Sequence, residues 1–85
     1  MQPELIYWLA ECYRIGEGVQ ENENRALALF KTAADMGYAR AQTALGDAYS
    51  QNGFSSVTED LEQATRYYEA AADQGDEEAL GMLVD

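Results

Sequence analysis

Few side chains in this 85-residue chain can do covalent or acid–base chemistry. It contains no histidine, which excludes histidine-based proton transfer and histidine-containing zinc sites. The single cysteine, Cys12, stands beside Tyr13 on an apolar helical stripe with no base in view, so a core role explains it better than a nucleophilic one. Ser50, Ser55 and Ser56 have no partner to activate them. Carboxylates gather as Glu59, Asp60 and Glu62, and again as Asp73, Asp76, Glu77 and Glu78. Such groups attract calcium weakly but lack the alternating oxygens and central glycine of a dedicated loop, so helix capping and solvation account for them. No catalytic, metal-binding or cofactor-binding set is expected. What remains is surface that another molecule could recognise.

Charge narrows the choice of partner. Sixteen acidic against five basic side chains give a formal charge of -11, which disfavours binding to nucleic acid or to an anionic membrane surface. The opening stretch MQPELIYWLAECY lacks the basic segment and long apolar run of a secretory leader, and Glu4 and Glu11 would interrupt a membrane span. A chain of this kind is expected to be soluble, without membrane insertion, and cytoplasmic. One cysteine cannot form an internal disulfide, which fits a reducing compartment. At 47% hydrophobic residues with one proline, the chain is too apolar for disorder, and its Ala, Leu and Glu content favours helices. A single all-α domain over residues 1–85 is expected, burying about 60% of its unfolded surface.

The elements that position the surface follow from an internal repeat. Leu5, Leu9, Ala10 and Tyr13 fall over Ala41, Leu45, Gly46 and Tyr49 at a spacing of 36. Val19, Asn22, Ala26, Phe30, Ala33, Ala34 and Gly37 fall over Val57, Asp60, Ala64, Tyr68, Ala71, Ala72 and Gly75 at a spacing of 38. The extra length lies in the loop SQNGFSSV, and a third copy opens at Ala79 and Leu83. Repeats over about 3–38 and 39–76, with a partial one over 77–85, are therefore expected.

Each copy reads as two helices. Apolar positions 5, 9, 12, 13 and 41, 44, 45, 48, 49 recur at steps of three and four, the mark of one buried helical stripe. Pro3 suits a first helical turn, where its missing N–H has no intrahelical partner. Asn22 and Asp60 are expected to cap the second helices, and Asp60 with Gln63 resembles a capping box. Gly37 and Gly75 follow last turns, where a left-handed residue reverses the chain without a Cβ penalty. Five helices are predicted, near 3–16, 23–36, 39–52, 61–74 and 77–85. Trp8, Phe30, Tyr67 and Tyr68 are expected in the core, and the Ala pairs with Gly46 let helices approach closely.

The residues Leu9-Ala10-x-x-Tyr13-x-x-Gly16-x-Gly18-Val19-x-x-Asn22-x-x-Arg25-Ala26-x-x-x-Phe30-x-x-Ala33-Ala34-x-x-Gly37 resemble the Sel1-like repeat. That family's pattern runs A-x-x-x-L-G-x-x-Y-x-x-G-x-G-V-x-x-D-x-x-K-A, then an aromatic, an Ala pair and a Gly. The second copy matches it with Ala41, Leu45, Gly46, Tyr49, Val57, Asp60, Ala64, Tyr67, Tyr68, Ala71, Ala72 and Gly75. Leu5 and Ala10 stand where the family favours Ala and Gly, and the longer second loop replaces G-x-G-V. The cysteine pairs of some secreted relatives are missing, since Ala34 and Ala72 leave Cys12 without a partner.

The resemblance implies an α/α superhelix of two helix-turn-helix repeats plus a short C-terminal helix, similar to tetratricopeptide arrays and used as a scaffold or adaptor. By the same likeness, the concave side is lined by Glu4, Tyr7, Glu11 and Arg14, then by Arg40, Thr43, Asp47, Ser50 and Gln51, with Glu78, Gly81 and Asp85 extending the row. A helical wheel independently sets Thr43, Asp47 and Ser50 opposite the Ala41, Leu45, Ala48 and Tyr49 stripe. Tyr7 is the expected aromatic anchor of this row. With Arg14 and Arg40 set among carboxylates, a basic or polar protein or peptide segment is the expected ligand. Three alternatives stand beside the adaptor. They are a homodimer through the apolar C-terminal helix, a structural piece of a longer array, and the β-lactam hydrolysis linked to some relatives, for which nucleophile and base are both missing here.

Overall fold

Asn22 and Asp60 start the second helix of each repeat in the same way. Asn22 Oδ1 accepts from the Arg25 N–H at 3.0 Å, and Asp60 Oδ1 accepts from the Gln63 N–H at 3.2 Å. Each removes one of the free amides that a helix start exposes. Their own N–H groups donate backward, from Asn22 to the Tyr13 carbonyl and from Asp60 to the Tyr49 carbonyl, both at 2.8 Å. The cap therefore also ties the end of one helix to the beginning of the next. Asp60 makes only the forward half of a capping box, because its amide is spent on Tyr49.

The computed structural model describes residues 2–50 and 58–75. They form four helices: α1 Pro3–Ile15, α2 Glu23–Asp35, α3 Ala39–Tyr49 and α4 Leu61–Ala72. Each ends one to three residues before its expected limit, and the helix expected over 77–85 lies outside the described residues. The chain reverses after α2 and α4 through Gly37 at φ 89° and Gly75 at φ 84°, the left-handed region where a Cβ is disfavoured.

Helices pack in chain order, α1 on α2, α2 on α3 and α3 on α4. One core cluster joins Ile6 and Ala10 of α1, Ala26, Phe30, Ala33 and Ala34 of α2, and Ala41, Leu45 and Ala48 of α3. A smaller cluster holds Ala64, Tyr68 and Ala71 of α4. Alanine dominates both, so backbones approach closely and the aromatic rings fill what is left. Between α2 and α3, Gln42 donates Nε2–H to the Ala34 carbonyl at 3.3 Å and accepts from Gln74 Nε2 at 2.9 Å. A buried amide thus closes the end of α2 and reaches the turn after α4.

The apolar stripe expected on α1 is displaced. Ile6 and Ala10 are the buried positions, whereas Leu5 is 59% and Leu9 40% exposed. Their equivalents Ala41 and Leu45 are fully buried. The difference is one of neighbours: α2 covers that side of α3, and no described element covers that side of α1.

Candidate functional site

The row expected to meet a partner is carried by equivalent turns of α1 and α3. Glu11 and Asp47 occupy the same position in the two helices, and each carboxylate is held, by different means. Glu11 Oε1 and Oε2 accept from Arg14 Nε at 2.8 Å and Nη2 at 3.1 Å, a two-pronged contact within one turn. Those hydrogen bonds raise the Arg14 guanidinium above its ordinary pKa, against the smaller opposing effect of burial. In the second repeat Ser50 stands where Arg14 does in the first. Asp47 Oδ1 accepts instead from the Tyr68 hydroxyl of α4 at 2.5 Å. Ser50 Oγ donates to the Asp47 carbonyl at 3.0 Å and lies 3.4 Å from Tyr68 Oη.

Tyr68 reaches Asp47 because Gly46 lets it. A Cβ built on Gly46 would sit 2.6 Å from the Tyr68 ring, inside any tolerable contact. The first repeat has Ala10 at that place and Phe30 opposite, a ring with no hydroxyl to offer Glu11. Glycine on the first helix and tyrosine on the second therefore go together, and with them the partner of the carboxylate.

The more exposed aromatic on this part of α1 is Trp8, which follows Tyr7 in the sequence. Tyr7 is half-buried, its ring 5.5 Å from Phe30 and 5.4 Å from Tyr38, so it seals the core between α1 and the start of α3. Trp8, expected in the core, is 46% exposed and meets Tyr7 edge-on at 5.0 Å. Exposed Arg40, from the first turn of α3, lies 5.9 Å above the Trp8 ring. A helical wheel carries a signal for Trp8: it lies with Leu5, Leu9, Cys12 and Ile15 on an apolar side adjoining that of Ile6, Ala10 and Tyr13, and α2 covers only the latter side.

Thr43 also departs from expectation. It is 3% exposed, and its hydroxyl has no hydrogen bond among the described residues. Polar type predicts exposure only where a helix has a solvent side, and Ala41, Gln42, Leu45, Gly46 and Ala48 are buried around it. What the structure pairs is thus Trp8 with Arg40, Glu11 with Arg14, and Asp47 with Ser50 and Tyr68. Glu4 is exposed one turn before Trp8. Gln51, Glu78, Gly81, Asp85 and the apolar C-terminal edge lie outside the described residues.

Cys12 is half-buried and free. Among the described residues no three Cys, Asp or Glu side chains converge to hold a metal ion, and no helix is long and apolar enough to cross a membrane.

Known proteins agree with the architecture. The model of the Sel1 repeat matches residues 3–38 and again 39–76. The crystal structure of a Sel1 repeat protein from Oxalobacter formigenes superposes with a TM-score of 0.88 at 33% identity. The likeness covers 95% of this chain and 59% of that one, so the chain spans a little over half of that structure's length. No curated protein matches.

Proposed function

The chain belongs to the Sel1 repeat family, an all-α solenoid type that mediates protein–protein interaction, and we propose that it binds one segment of a partner protein across the α1–α3 row without catalysis of its own. The observation that carries this reading is Trp8. A large ring left 46% exposed beside a cation, with Glu11 one turn along α1 and Asp47 on α3 each bonded by an internal donor, is the composition of a binding anchor with a polar rim. Arg14 and the Tyr68 hydroxyl hold Glu11 and Asp47 in place, which lowers the entropic cost of binding.

The ligand chemistry follows from the charges. Glu11 and Arg14 offset each other as a pair, which leaves Glu4 and Asp47 against Arg40. A basic or polar segment presenting Lys or Arg beside one apolar side chain fits the row; an acidic one is repelled by a chain of charge -11. Thr43 and Tyr7 take no direct part in this reading. Their role is to hold α1 and α3 in register.

The test is affinity capture from the source lysate with the intact chain, set against a Trp8→Ala, Glu11→Lys, Asp47→Lys variant of verified helicity. A protein retained by the wild type and lost with the variant supports the row as the binding face. Equal retention by both moves binding elsewhere and overturns it. Hydrolysis of a chromogenic β-lactam by the purified chain would overturn the non-catalytic part.

A further inference from the structure

The arginines of this acidic chain are held in two different ways. Arg14 bonds Glu11 at 2.8 Å and Arg66 lies 3.6 Å from Glu62, each an ion pair within one helix turn. Arg25 and Arg40 make no ion pair among the described residues and stand over aromatic rings instead, Tyr13 at 5.2 Å and Trp8 at 5.9 Å. Indole offers a cation the best face of any aromatic side chain, and Trp8 is the only tryptophan.

The two rings differ in what they leave open. Tyr13 is half-buried and meets an arginine of α2, the helix packed on α1. Trp8 is 46% exposed, Arg40 is itself exposed, and their separation is at the outer limit of about 6 Å for such an attraction. Glu4 precedes Trp8 by four residues and Glu11 follows it by three, so both are its neighbours on the helix surface. Arg14 satisfies Glu11. Glu4 is exposed and has no ion pair among the described residues, so Arg40 covers the ring without meeting the acid beside it. A cation brought from outside can meet both.

We propose that the indole face of Trp8 takes the guanidinium of an arginine in the partner segment, and that Arg40 is the internal competitor this arginine displaces. The inference rests on Trp8 as the anchor of the row and names the group the anchor takes. Arginine suits the place better than lysine: its planar head stacks on the ring, is less strongly hydrated, and presents a fork to a carboxylate such as Glu4. Arg40 then weakens binding although it belongs to the row, because the competent state is the one in which it has left the ring. An exposed contact of this kind is worth about 2- to 5-fold in affinity.

The test uses acetyl-arginine amide, titrated to about 100 mM into the whole chain and followed by NMR at the Trp8 indole and the Arg40 side chain. In about 0.15 M salt, charge effects fade beyond roughly 8 Å. Saturable shifts of the indole are expected, with the Arg40 side-chain protons moving from ring-shielded positions to those of a free arginine. Acetyl-citrulline amide, the same shape without the charge, should produce neither. Arg40→Gln should tighten binding about 2- to 5-fold, whereas Lys31→Gln, which removes the same charge from α2, should leave it unchanged. In a Trp8→Leu background the gain from Arg40→Gln should vanish; a gain that persists is simple charge repulsion and overturns the proposal. So does any of three other results: no saturable binding, equal binding of citrulline, or Arg40 signals that stay in place. Loss of capture by Trp8→Ala together with equal citrulline binding leaves the row standing and removes the displaced arginine. Arginine binding at Trp8 with capture undiminished removes the row and leaves the cation site.

Discussion

The two repeats share a backbone and differ in what fills it. In both, a tyrosine carbonyl at the end of the first helix receives the amide of the cap that begins the second, at the same 2.8 Å. Around that frame the side chains are exchanged in sets. Ala10 with Phe30 becomes Gly46 with Tyr68, and the carboxylate bonded by Arg14 in one repeat is bonded by a tyrosine hydroxyl in the other. Tyr13 lies under the Arg25 guanidinium at 5.2 Å, whereas Tyr49 stacks on Tyr67 at 5.9 Å with rings 7° from parallel. A repeat therefore fixes where a residue sits and which way it leans. The identity of its neighbour decides whether it is core, rim or contact surface.

The Gly46–Tyr68 pair is where the comparison breaks most readily. Helix propensity alone makes Gly46→Ala stabilising by about 1 kcal/mol. The Tyr68 ring stands in the way, and because that ring is buried and tied to Asp47, the substitution is expected to cost about 1–3 kcal/mol net. Thermal unfolding should show a fall of roughly 4–20 °C. The mirror change, Ala10→Gly, should cost about 1 kcal/mol, the ordinary loss for a helix interior. A stabilised Gly46→Ala protein would mean that Tyr68 is not held as described.

The two carboxylate pairs give a smaller contrast. Tyr68→Phe removes a donor to a charged acceptor at a half-buried site, and urea unfolding should register a loss of about 1–2 kcal/mol with an unchanged denaturant slope. Glu11→Gln should cost no more than about 0.5 kcal/mol, since its pair with Arg14 is local and partly solvated. Equal losses would show that the two repeats hold their acids with equal strength.

The smallest effect is alkaline. Burial first, and then the neighbouring Tyr49, raise the Tyr67 phenol above the ordinary tyrosine range. The unfolded chain gives up that proton at about pH 10 while the folded one keeps it, so this contribution to stability is complete below pH 10 and fades as pH climbs through the folded value. Melting temperature should decline with pH above about 10, less steeply in Tyr67→Phe than in the wild type. Equal slopes would remove Tyr67 as the cause.

Much of the fold is legible in the sequence because it rests on local rules. Asn22, Asp60, Gly37 and Gly75 each do at their own position what their chemistry favours, and the helices follow. The surface was less legible, for reasons of neighbourhood. Leu5 and Leu9 lie over buried Ala41 and Leu45 in the self-alignment, yet α1 has no described helix where α2 shields α3. Tyr7 and Trp8 are consecutive aromatics, and only the position of Phe30 and Tyr38 decides that the first turns inward. Thr43 is polar by type and buried by its surroundings.

In the proposed function Trp8, Glu11 and Asp47 act together as one binding row. Backbone and indole NMR shifts, followed while a Lys- and Arg-containing peptide selected by display is titrated in, test it most directly. The largest changes are expected at the Trp8 indole and at Glu11, Arg40 and Asp47, with an acidic scramble of the peptide giving none. Changes centred on Leu5, Leu9 and Ile15, or spread evenly over the chain, would contradict it.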